Sequence, residues 1–221
     1  MRIIAGRFRG RRLQAPKGAT TRPTTDRVRE SLMSMLSSAR GGFAGAVVLD
    51  AFAGSGALGL EALSRGAARV RFCEHDGAAL RVLRANVDML GVARTGAHAQ
   101  AGVFAGDVVA KPPVWVRPPF DLVFLDPPYA MPASRALGVA AALAQGGALA
   151  EGALVSYEHD ASRNDETDAA ADVHGLTLAS RRKYGDTVID LLQVHGSDEL
   201  PRDDGLSHTV RSEQEKRRGT T

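Results

Sequence analysis

The chain has 221 residues, with 28 Lys+Arg against 25 Asp+Glu and 44% apolar content. At roughly 100–200 residues per domain this is one globular domain with trimmings, and 24% charged with 5% aromatic residues excludes wholesale disorder. A lone cysteine, Cys73, excludes a disulfide framework and a cysteine-based zinc site. There is no signal-peptide pattern, and the most apolar stretch, 137–155, is broken by Gln145, Gly146, Gly147 and Glu151. A cytoplasmic protein is expected. Charge is segregated: residues 1–29 hold nine basic side chains and one acid, Asp26, a footprint suited to a polyanion such as nucleic acid.

Ile3, Ile4 and Leu13, set among Gly6, Gly10 and arginines, predict a short basic hairpin or arm, bounded here as residues 1–25. Asp26 then opens a helix whose apolar face is Val28, Leu32, Met35 and Leu36. From Val47 strand and helix alternate. Val47–Leu49 is a short apolar strand ending in Asp50, and a glycine-rich turn leads into a helix over 57–64. A strand over 70–73, a helix over 77–90 and a weak strand near 97–101 follow. Phe120–Leu125 is the strongest strand and ends in Asp126-Pro127-Pro128-Tyr129; beyond it come a helix over 134–143, a strand over 153–157 and a hairpin over 181–194. The alternation predicts a doubly wound α/β domain over 26–196, and 197–221 reads as a disordered tail.

Two motifs carry chemistry. Gly54, Gly56 and Gly59 satisfy G-x-G-x-x-G between a strand and a helix, and Glu74 lies 20 residues after Gly54, where a carboxylate can accept two ribose hydroxyls. The pattern suits a nicotinamide dinucleotide or S-adenosylmethionine. Asp50 favours the second, because a carboxylate there repels a pyrophosphate and attracts an ammonium and a sulfonium. The second motif is Asp126–Tyr129 at the exit of the fourth strand. The Asp126 side chain and the Pro127 carbonyl can each accept one N–H of an exocyclic amine, Pro127 and Pro128 fix the backbone, and Tyr129 offers a ring to a flipped base.

Together with Arg2–Gly6, Arg9–Arg11, the block Arg22–Glu30 and Phe52–Ala67, these motifs resemble the RsmD family of bacterial ribosomal RNA guanine-N2 methyltransferases over residues 2–194. The resemblance implies a class I S-adenosylmethionine-dependent methyltransferase fold: a Rossmann-like, mostly parallel seven-stranded sheet with a C-terminal antiparallel hairpin and a small basic arm. It implies methyl transfer to the N2 amine of one guanine, of the guanine 966 type, in 16S RNA within a small-subunit assembly particle. The cofactor set is then Asp50, Phe52, Gly54, Ser55, Gly56, Glu74, His75 and Val103. The RNA-binding set is Arg2, Arg7, Arg9, Arg11, Arg12, Arg22, Thr24, Arg27 and Arg29. Asp107 lies a few residues late for the adenine contact. No metal is expected, and the protein is read as a monomer.

Other residues keep two readings. His75 borders the adenosine pocket or is an ordinary loop histidine, and Arg181, Arg182 and Lys183 reach phosphates or form a solvated strand end. Trp115 reads as loop packing, with RNA stacking as the other reading. Cys73, behind Phe72 in an apolar strand, reads as a core residue and disfavours a cysteine-dependent carbon methyltransferase. The rival functions are an adenine-N6 DNA methyltransferase or another exocyclic-amine methyltransferase, a nicotinamide-dependent oxidoreductase, and an idle RNA-binding module.

Overall fold

The computed structural model describes residues 1–16, 26–92 and 99–194. The chain order is α1 (Asp26–Arg40), β1 (Val47–Asp50), α2 (Ala57–Ser64), β2 (Arg69–Glu74), α3 (Gly77–Met89), β3 (Ala101–Ala105), β4 (Phe120–Leu125), α4 (Ala133–Gln145), β5 (Leu149–Asp160), a 3-10 turn (Ala161–Arg163), α5 (Asn164–Val173), β6 (Leu176–Tyr184) and β7 (Thr187–Val194). The seven strands form one sheet in the order β3-β2-β1-β4-β5-β7-β6, in which β7 pairs antiparallel with both neighbours and every other pairing is parallel. This is the class I methyltransferase architecture that the resemblance implies.

Alternating side chains explain the layering. Val48, Phe72, Leu122 and Phe124 meet α1–α3 on one face, while Leu49, Val123, Leu125, Val155 and Tyr157 meet α4 and α5 on the other. Successive strands step outward from β1 in one direction and from β4 in the other. The C-terminal ends of β1 and β4 are therefore the switch point of the sheet, where such folds open a crevice.

The basic arm is docked onto the domain. One antiparallel bridge joins Arg2 and Arg12, and Ile3 and Leu13 are buried in the core. Buried Glu61 on α2 accepts the N–H groups of Ile4 (2.8 Å) and Ala5 (3.0 Å), and Ser64 Oγ accepts that of Phe8 (2.9 Å). Gly6, at φ +82°, sits so close that a Cβ would lie 1.9 Å from the Ser64 carbonyl oxygen. Farther along, Asn86 on α3 accepts the Gln14 N–H and donates to the carbonyls of Gln14 and Ser55.

Three sequence expectations change. The third strand runs from Ala101 to Ala105, later than 97–101, of which 97 and 98 lie outside the described residues. The helix Asn164–Val173 was not anticipated, because only Thr167, Ala170 and Ala171 are buried on it and such a sparse apolar face gives little periodic signal. The strand expected over 153–157 runs from Leu149 to Asp160. Residues 195–221, with the whole of the expected tail, and Arg22 and Thr24 of the arm lie outside the described residues. Among the described residues no helix is long and apolar enough to cross a membrane.

Candidate active site

The site is built on the C-terminal ends of β2, β1, β4 and β5. Each strand delivers a carboxylate there: Glu74, Asp50, Asp126 and Glu158. Alternation along each strand places all four toward the α1–α3 face, since Cys73, Leu49, Leu125 and Tyr157 before them pack into the opposite layer.

Asp50 is buried, and its Oδ2 accepts the Gly59 N–H at 2.9 Å. Burial pushes its carboxyl up to about 7, with Asp126 and Glu74 adding to the rise and the Gly59 N–H opposing it. Asp50 thus occupies a first-turn donor of α2 that a pyrophosphate would otherwise use, which argues against a dinucleotide. Glu74 braces the glycine loop: its Oε2 accepts the Gly54 N–H at 2.8 Å, and its Oε1 accepts the N–H groups of His75 and Asp76, both at 2.8 Å.

The three glycines do different work. Gly54 adopts φ +53° and a Cβ on it would meet nothing within 4 Å, so the loop is open on that side. Gly56, at φ +82°, starts α2, and a Cβ on it would lie 2.5 Å from Leu83. Gly59 has a packing role, because a Cβ on it would lie 2.3 Å from the Phe72 ring. Phe52 is half-buried against the α4–α5 layer, Ser55 is buried, and His75 is exposed beside Glu74.

Asp126 is half-exposed at the exit of β4, with Pro127 buried behind it and Pro128 exposed. Tyr129 reaches across the neighbouring strands: its hydroxyl lies 3.4 Å from Glu158 Oε1, to which it donates, and 3.2 Å from Thr187 Oγ1. Burial raises the Tyr129 pKa, and the charges of Glu158 and Asp126 add to the rise, so the hydroxyl stays protonated and able to donate. The loop is held from below by Arg163, whose Nη1 donates to the carbonyls of Tyr129 (2.5 Å) and Met131 (2.9 Å). Glu166 pairs with Arg163 at 2.8 Å and accepts the Ala133 N–H at 2.8 Å, capping α4. The Ala133 N–H and then the Arg163 guanidinium hold the Glu166 carboxyl below its ordinary value.

Several assignments are corrected. Val103 lies mid-strand, in register with Phe72 and packed against the core, so it does not sit at the strand exit where a cofactor passes. That place belongs to Gly106, whose N–H donates to the Glu74 carbonyl at 2.9 Å, and to exposed Asp107. Reading the third strand too early made Asp107 look late. Arg29 does not face RNA. It is 1% exposed, pairs with Asp26 at 2.8 Å, donates to the Arg2 carbonyl at 2.6 Å and lies 3.9 Å from Glu61, because α1 turns it into the interface with the arm.

Arg2, Arg7, Arg9, Arg11, Arg12 and Arg27 are exposed. Arg2 pairs with Asp26 at 3.5 Å, and Arg7 donates to Gln100 at 3.0 Å, just before β3. Arg7 is therefore at the end of the sheet opposite Asp126. Arg181 is bound to Asp190 and Asp168, whereas Arg182 and Lys183 are exposed. Cys73 is fully buried and burial pushes its thiol up to about 12, so it is a core residue. Trp115 is 93% exposed, contrary to its reading as loop packing.

The residues that sequence reasoning missed are Glu158, Arg163, Glu166, Glu61 and Asn86. The last two had a signal: a charged or amide side chain among Leu58, Leu60 and Leu63, or between Leu83 and Val87, is buried only when its polar atoms are met.

Comparison with known proteins gives the family. The model of the family described as conserved hypothetical protein 95 matches residues 1–193. YlbH of Bacillus subtilis is 33% identical over 196 residues, covering 89% of this chain and all of that protein. An Escherichia coli protein, "Ribosomal RNA small subunit methyltransferase D", is 42% identical over 129 residues, which span 58% of this chain and 60% of that protein. The solved structure of Escherichia coli yhhF superposes with a TM-score of 0.69 at 34% identity, covering 88% of this chain and 97% of that one. The chain belongs to the conserved hypothetical protein 95 family, the RsmD family of methyltransferases.

Proposed function

We propose that this protein transfers a methyl group from S-adenosylmethionine to the N2 amine of one guanine, of the guanine 966 type, in the 16S RNA of a small-subunit assembly particle. The observation that carries this reading is the position of Asp126, half-exposed at the switch point beside Asp50 and followed by a proline pair and a tyrosine. The name of the Escherichia coli relative supports rRNA as the substrate class.

The residues fit the cofactor. Asp50, Glu74 and Asp126 raise one another's energy when all are ionised, and a ligand bearing an ammonium and a sulfonium relieves that repulsion. Gly54 leaves room on the open side of the loop, which supports a bound cofactor there; in this reading Glu74 accepts ribose hydroxyls, and Asp107, just past the exit of β3, is the candidate for the adenine. Once bound, S-adenosylmethionine supplies an electrophilic methyl group and a neutral thioether as leaving group.

The chain's own part is positioning. The Asp126 side chain and the Pro127 carbonyl accept the two amine N–H groups, holding the nitrogen lone pair out of the ring plane and toward the methyl group. Tyr129, fixed at its hydroxyl, offers its ring to a base that leaves its stack at a cost of a few kcal/mol. The exposed arginines of the arm and Arg27 neutralise phosphates away from the reacting atoms.

The test is methyl incorporation from labelled cofactor into small ribosomal subunits, naked 16S RNA, duplex DNA and protein, followed by nucleoside mass analysis. N2-methylguanosine in the subunit is expected. Label in adenine N6 of duplex DNA, or in protein alone, would refute the reading.

A further inference from the structure

Arg182 and Lys183 are exposed near the end of β6, and the proposed reaction gives them no part. Directly opposite residues of an antiparallel pair share a face of the sheet. Arg182 is opposite Ile189 and Tyr184 is opposite Thr187, and Ile189 packs in the α1–α3 layer. Arg182, Tyr184 and Thr187 therefore lie on that face, while Lys183 is turned to the other with Arg181. Arg181 is occupied there by Asp190 (2.7 Å) and by Asp168 on α5 (2.6 Å).

On the α1 side the contacts are continuous. Thr187 Oγ1 lies 3.2 Å from the Tyr129 hydroxyl, and the Tyr184 hydroxyl bonds that of Ser31 on α1. Four residues before Ser31, one helical turn nearer the N-terminus and on the same helix face, is exposed Arg27. A surface thus runs from the acceptor loop over the β6–β7 hairpin to the first turns of α1, and Arg182 and Arg27 flank its Tyr184–Ser31 link. Asp26 and Glu30, the acids of those turns, are paired with Arg2 and Arg29 and with Arg65. Among the described residues no carboxylate pairs with Arg27 or Arg182.

We propose that Arg182 and Arg27 form a phosphate-binding surface that holds the RNA backbone beside the target nucleotide, on the hairpin side of the acceptor loop. The proposal rests on the amine-transfer reading above and adds to it where the flanking strand lies. A base drawn out of its stack onto the acceptor loop leaves its phosphates outside the pocket, where they need counter-charge. The planar fork of arginine bonds two phosphate oxygens at once. β6 is three strands from β4, about 14 Å at 4.8 Å per step, too far for Arg182 to touch the amine. The pair therefore acts on RNA binding and leaves the methyl-transfer step alone.

The experiment measures methyl transfer to small ribosomal subunits, and affinity for them, from about 50 to 200 mM salt. Arg182→Ala should lower kcat/KM about tenfold at low salt, keep kcat within about twofold and reduce the salt slope of affinity by about 1. Arg27→Ala should reduce the slope by the same amount. Arg182→Lys keeps the charge without the fork, so it should restore the slope and only part of kcat/KM. Lys183→Ala, on the opposite face, should change kcat/KM by less than about twofold. All three positions are exposed, and unchanged calorimetric affinity for S-adenosylhomocysteine reports that the variants are folded. Wild-type slope and kcat/KM in Arg182→Ala overturn the proposal and leave the amine-transfer reading standing. An equal loss in Lys183→Ala also overturns it, because net charge alone then accounts for the effect. Absence of N2 transfer by the wild-type protein overturns both.

Discussion

The two halves of the site are built on different principles. The cofactor half is wired by backbone and near in sequence: Gly59 to Asp50 spans 9 positions and Gly54 to Glu74 spans 20. The acceptor half is braced from a distance, with Arg163 and Tyr129 34 positions apart and Tyr129 and Thr187 58 apart. A loop that grips an invariant small molecule can be encoded in one contiguous stretch. A loop that must hold an amine at a set angle needs supports from several elements.

Breaking the anchor between the arm and α2 should have the largest effect. Glu61 is buried, accepts two arm N–H groups and pairs with Arg65 at 2.9 Å, so Glu61→Ala should cost about 3–5 kcal/mol in denaturant unfolding. A loss below 1 kcal/mol would mean that the arm is held by its apolar residues alone. Arg163→Ala targets the acceptor half and should lower kcat about tenfold while cofactor affinity stays within twofold, because the carbonyls of Tyr129 and Met131 lose their donor.

The cofactor half should respond to pH instead. Asp50 titrates at about 7, and a cationic ligand favours its ionised form, so cofactor affinity should fall up to tenfold per unit as pH drops below about 7. Asp50→Asn should flatten that profile. The unliganded protein should show the opposite trend in stability. A carboxyl raised from 3.8 to about 7 by folding holds a proton that the unfolded chain has lost, so stability declines as pH climbs through that interval. Thermal melts across pH 4 to 8, with and without Asp50→Asn, check the sign.

Smallest is the arm. Replacing Arg9, Arg11 and Arg12 singly by Ala should each reduce the salt slope of RNA affinity by about 1 and leave kcat alone. An unchanged slope would place the RNA on another surface.

The contrast between the halves also explains what could be read from the sequence. The glycine loop, Glu74 and Asp126–Tyr129 were legible because each is contiguous, and strand–helix alternation fixed the sheet around them. Glu158 lay inside an apolar strand with no neighbouring motif, and Glu166 sat on a helix with too few apolar residues to announce itself, with Arg163 in the short turn just before it. Arg29 was misplaced because charge along a chain carries no direction: only the packing of α1 against Glu61 shows that this arginine points inward while Arg27, two residues before it, points out. The third strand was set about four residues early, the kind of error that short strands invite, and the shift puts Val103 mid-strand and Asp107 just past the strand's exit.

The most direct test of the central claim is single-turnover methyl transfer by Asp126→Ala and Asp126→Asn on small ribosomal subunits, alongside calorimetric affinity for S-adenosylhomocysteine. Alanine should reduce the rate by about 100- to 1000-fold with cofactor affinity within a few-fold, and asparagine, which keeps an accepting oxygen, should recover part of it. Wild-type rates in the alanine variant would contradict the account.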